Sequence, residues 1–69
     1  MTMPHQTTRV IRVSYDALRG AFAGRVDVDR AGRIYRYPCE VAAPADADPA
    51  WVHRALTARA LAMSDSRPH

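Results

Sequence analysis

The chain has no lysine and no asparagine, and all ten of its basic residues are arginine. With a single cysteine, Cys39, it cannot form an intrachain disulfide. No group of Cys and His has the spacing of a zinc site, so no metal and no cofactor is expected. No apolar run approaches the length of a membrane span, which argues against a membrane partner. The opening residues MTMPHQTTRV hold no apolar segment of a secretory leader. A lone thiol without an export signal points to a reducing cytoplasm. Arginine without lysine, beside heavy use of alanine, is the composition of a genome rich in G and C and suggests a bacterial source.

Sixty-nine residues make one domain, with a core near the lower limit of self-sufficiency. The chain is 48% hydrophobic and 25% charged, which places it among globular rather than disordered sequences. Small domains usually carry a disulfide, a metal or a partner chain. With the first two absent from the pattern, a homodimer is one expected outcome, and a modest core that just suffices is the other.

The stretch from Phe22 to Val41 organises the rest. Phe22, Gly24, Val26 and Val28 alternate with polar or small neighbours, and so do Tyr35, Tyr37, Cys39 and Val41. Strand side chains change face with a period of two. Pairing Asp29 with Ile34 puts both apolar sets on one side: Val28 beside Tyr35, Val26 beside Tyr37, Gly24 beside Cys39, Phe22 beside Val41. The other face then carries Asp27 opposite Arg36. Gly32 supplies the positive φ of the turn.

Before the hairpin, Thr8–Tyr15 reads as a strand with Ile11, Val13 and Tyr15 on the core face and Val10, Arg12 and Ser14 on the other. Asp16–Ala21 fits a loop better than a short helix, because Gly20 weakens the helical alternative. After the hairpin, Ala42–Pro49 is a proline-marked connection. Asp48 and Pro49 form a helix start, and the helix runs to about Met63. Its expected apolar face is Trp51, Val52, Ala55, Leu56, Ala58, Ala62 and Met63. Arg59 intrudes on that face, with either its stem laid along the sheet and its guanidinium at the rim, or an acid as partner. The predicted fold is α+β: a three-stranded antiparallel meander with one C-terminal helix on one face, β-β-β-α. The domain spans 8–63, between a disordered tail at 1–7 and a frayed one at 64–69.

No stretch carries a motif specific to one reaction, and no enzyme is expected. Cys39 has core parity, and His53 sits on the polar side of the helix, so the two do not form a nucleophile and base. His5 and His69 fall in the tails. Asp46 and Asp48 are explained by helix capping. Tyr35 and Tyr37 resemble base-stacking aromatics, but parity puts them under the helix. The net charge of +3 invites a nucleic-acid reading. On the open face, however, Arg12, Arg25 and Arg36 are balanced by Asp27, Asp29 and Glu40, which leaves Arg30 and Arg33 as a small basic tip. The expected function is therefore a non-catalytic interaction or accessory protein whose partner is another protein or a second copy. The alternative is a nucleic-acid-binding module using Arg12, Arg25, Arg30, Arg33 and Arg36.

Overall fold

The computed structural model describes residues 6–65. Strands β1 (Gln6–Asp16), β2 (Ala21–Arg30) and β3 (Arg33–Ala42) form one antiparallel sheet in the order β1-β2-β3, followed by helix α1 (Pro49–Asp65). This is the β-β-β-α arrangement the residue pattern predicts. Gln6 and Thr7, expected in the tail, extend β1 by pairing with Arg30 and Asp29. The helix likewise continues through Ser64 to Asp65. The rest of the two expected tails, 1–5 and 66–69, lies outside the described residues.

The hairpin of β2 and β3 has the expected register throughout, from Asp29–Ile34 to Phe22–Val41. Arg30 and Arg33 close it, leaving Ala31-Gly32 as a two-residue turn with φ of 55° and 82°. Two positive φ values make a type I′ turn, whose twist matches that of the strands. Gly32 takes this conformation freely, but Ala31 holds its Cβ in the left-handed region at a cost of about 1 kcal/mol. Ala31→Asn, which restores the favoured Asn-Gly pair, is expected to raise Tm by about 4–8 °C in a thermal melt.

Strand β1 departs from strict alternation. Its register shifts between Ile11, which pairs with Arg25, and Ser14, which pairs with Ala23. Arg12 and Val13 therefore stand against Gly24 alone, a β-bulge, and Arg12 has a φ of 59°. The extra residue puts the two halves of the strand out of phase. Val10, opposite Val26, and Val13 both pack on the core. Ile11, expected inside, lies on the open face instead, and Val10, expected outside, is in.

The segment between β1 and β2 is a loop, as the sequence favours. Asp16 Oδ1 accepts hydrogen bonds from the Leu18 and Arg19 N–H groups at 3.0 and 3.3 Å. Gly20, at φ 61°, turns the chain into β2, and Leu18 at the tip is 100% exposed.

Helix α1 starts where Asp48 caps it. The Ala50 N–H donates to Asp48 Oδ1 at 3.3 Å, and the Val52 N–H donates to the Asp48 carbonyl at 3.0 Å. The buried stripe is Val52, Leu56 and Ala60, with Ala55 and Leu61 packed beside it. Trp51 is 43% exposed, against expectation. At 100° per residue Trp51 lies about 140° from Leu56. The helix is rolled by about one residue step from the face that Trp51, Ala58 and Ala62 define. The roll exchanges alanine burial for that of Leu61 and moves Arg59 toward the edge of the apolar face. Met63 keeps the right azimuth but sits past the end of the stripe, half-exposed near Ala21 and Ala42.

The core is small. Among the described residues only Val26, Val28, Val52 and Leu56 of the large side chains are completely buried, joined by Cys39, Val41 and Ala60. All lie between α1 and one face of the sheet. No helix of the described residues is long and apolar enough to cross a membrane.

Candidate interaction surface on the open sheet face

The face of the sheet turned away from α1 reads as rows across the three strands. From the hairpin turn they are Thr7–Asp29–Ile34, Arg9–Asp27–Arg36, Ile11–Arg25–Pro38 and Ser14–Ala23–Glu40. Ile34 is 59% exposed. None of these twelve residues is aromatic. Tyr35 and Tyr37 stand on the opposite face, half-buried on the helix side.

A shallow depression occupies this face toward the β1–β2 loop. Arg12, Arg19, Arg25 and Arg36 line it, with Ser14, Glu40 and a floor of Ala23, Gly24 and Pro38. Arg25 Nε lies 3.1 Å from Asp27 Oδ1. Arg19 grips Glu40 with two contacts, Nε at 2.9 Å from Oε2 and an Nη2 donor at 3.0 Å from Oε1. Arg12 and Arg36 form no ion pair within 4 Å among the described residues. The lining thus sums to four positive charges against the single carboxylate of Glu40.

Three of the five arginines singled out from the sequence, Arg12, Arg25 and Arg36, meet in this depression. The other two do not join them. Arg30 and Arg33 close the hairpin turn with the parity of Val28 and Tyr35, on the helix side of the sheet. Sequence reasoning missed Arg9, because strict alternation puts it on the core face with Ile11, and Arg19, because loop residues have no parity. One signal was present: Arg9 and Arg12 are three apart, so strict alternation cannot place both on one face. A bulge can.

That bulge carries strain. A left-handed residue with a Cβ costs roughly 1–2 kcal/mol, and glycine is the usual occupant of this bulge position. In this chain the occupant is arginine, and its side chain is delivered to the depression.

Both sheet edges are poor templates for an added strand. Hydrogen-bonded pairs alternate along a hairpin. Arg30–Arg33 closes a two-residue turn and is such a pair, so Arg25–Pro38 is not. The nitrogen of Pro38 therefore faces outward and offers no donor to a neighbour. On β1 the bulge breaks the edge.

The remaining sequence candidates are scattered. The Cys39 thiol is buried and donates to the Tyr37 carbonyl at 3.5 Å. Burial pushes its pKa above the ordinary value, with Arg59 pulling the other way. A thiol held protonated is a poor nucleophile. His53 is exposed on the far flank of α1, beside Thr8 and Val10, and does not share a depression with Cys39. Arg59 lies exposed at the β3 rim near Glu40 and Met63, the first of its two expected placements. Asp46 and Asp48 are exposed, and Asp48 is the helix cap. Among the described residues no three of His, Cys, Asp and Glu gather as a metal site. The chain matches no known family model, no curated protein and no solved structure.

Proposed function

We propose that this is a small, non-catalytic interaction module of the cytoplasm, which works by presenting its open sheet face to another protein, a second copy included. One observation carries the reading. Among the described residues the sheet is covered on one side only, and its bare side interleaves exposed Ile34 and Pro38 and half-buried Ile11 with arginines and carboxylates. Apolar residues mixed with both signs of charge suit a protein partner better than a phosphate chain. The nucleic-acid reading rests on the meeting of Arg12, Arg25 and Arg36. It is weakened by Asp27, Asp29 and Glu40 among them, by the lack of rings on that face, and by the position of Arg30 and Arg33 behind it.

Light scattering at rising concentration, on the native chain and on Ile34→Glu, tests this reading together with amide shift mapping. Concentration-dependent association weakened by the substitution, with shifts confined to the open face, is the expected result. Association that ignores Ile34→Glu and shifts residues of α1 instead contradicts it.

A further inference from the structure

We propose that the arginine-lined depression is a binding site for an acidic, extended segment of a partner protein, and that the left-handed bulge at Arg12 exists to complete it. This rests on the open-face reading above and names the chemistry of the partner.

A non-glycine residue in the left-handed region persists where the surroundings demand it, and such outliers cluster at binding sites. Glycine at position 12 would relax the backbone and leave the phase change of β1 intact. What glycine would not supply is a guanidinium. The bulge shifts β1 by one residue, and Arg12 then lines the same depression as Ser14, Arg25 and Arg36.

Among the described residues the charges in the depression are only half satisfied. Arg25 is held by Asp27 and Arg19 by Glu40, while Arg12 and Arg36 have no ion-pair partner among the described residues. These two stand on the outer strands, about 10 Å apart across the sheet and offset by the step from Gly24 to Asp27, about 10 Å along it, so they are about 14 Å apart on the diagonal. An extended segment crossing the strands on that diagonal meets both with carboxylates about four residues apart, each accepting a two-pronged hydrogen bond from one guanidinium. The floor of Ala23, Gly24 and Pro38 is small and apolar, and it suits short side chains between the acids. Nucleic acid fits less well, because the depression has no ring to stack a base.

The test is a fluorescence anisotropy titration of the full chain at low salt. The probes are a labelled peptide of alternating Glu and Ala, its Gln-Ala counterpart and a labelled single-stranded oligonucleotide. The Glu-Ala peptide is expected to bind and the Gln-Ala peptide not to bind, with amide shifts at Ser14, Ala23, Gly24 and Arg36. Arg12→Gly and the exposed Arg36→Gln are each expected to weaken binding by about tenfold or more. Arg12→Gly should also raise Tm, and a purely structural role for Arg12 would not move affinity and stability in opposite directions. No peptide binding, unchanged affinity in Arg12→Gly, or tighter binding of the oligonucleotide overturns the proposal. If the acidic peptide fails to bind while the chain still associates through the open face, the proposal falls and the broader reading stands. If peptide binding shifts α1 and spares the sheet face, both fall.

Discussion

Leu56→Ala is expected to remove about 3–4 kcal/mol of stability, measured by urea denaturation. Leu56 is completely buried at the centre of the α1 stripe, and its Cδ1 lies 3.4 Å from where a Cβ on Gly24 would stand. Truncation loses the transfer free energy of the removed methyl groups and leaves a cavity between helix and sheet that the stiff strands cannot close. A domain of this length has roughly 3–10 kcal/mol in all, so the variant keeps little margin. The contrast with Trp51 sharpens the expectation. Trp51 is the largest apolar side chain of the helix, yet it is 43% exposed, and Trp51→Ala is expected to cost about 1 kcal/mol or less. A larger loss from Trp51→Ala than from Leu56→Ala would mean that the helix sits rolled toward the tryptophan.

The second large effect is expected at Gly24. It faces α1 from the middle strand, opposite the bulge. A Cβ there would lie 3.2 Å from Val13 Cγ2, 3.4 Å from Leu56 Cδ1 and 3.5 Å from the Ile11 carbonyl oxygen. The two closest atoms belong to side chains that can give by a few tenths of an ångström, so Gly24→Ala is expected to stay within about 1 kcal/mol of the native chain. Gly24→Val adds two branches to an already tight contact and is expected to cost about 3 kcal/mol. Comparing the two by thermal melts separates overpacking from any backbone need for glycine. Gly24 has no left-handed φ, unlike Gly20 and Gly32, so an equal loss in both variants would refute the packing account.

The parts of the molecule that were legible in the sequence are those where one pattern excluded its rivals. In the hairpin both arms alternate strictly, and only one register put their apolar sets on one side. The Asp48-Pro49 start of α1 was equally plain, because acceptor and missing donor fall where a helix leaves its first N–H groups free. Strand β1 was not legible. Val10 and Ile11 are adjacent and both β-branched, so either parity could be the buried one. The bulge is carried by Arg12, so the usual glycine marker of a left-handed residue is absent. The azimuth of α1 was obscured by its alanines, which suit any face, and by Trp51, whose size attracts a core assignment that the packing does not honour. At the candidate site, parity placed Arg25 and Arg36 correctly. The same rule put Arg12 on the right face, although not for the right reason. Arg9 and Arg19 depend on the bulge and on a loop, and neither has a periodicity to read.

The central claim is that β1 changes phase at Arg12, sealing the core with Val10 and Val13 while handing Arg12 and Ile11 to the open face. Methyl–methyl nuclear Overhauser effects between β1 and α1 test it most directly. The account predicts cross-peaks from Val10 and Val13 to Leu56 and Leu61, and none from Ile11 to any residue of the helix. Strong Ile11–α1 cross-peaks with Val10 silent would contradict it, for β1 would then run in unbroken alternation and the arginine depression would lose its third wall.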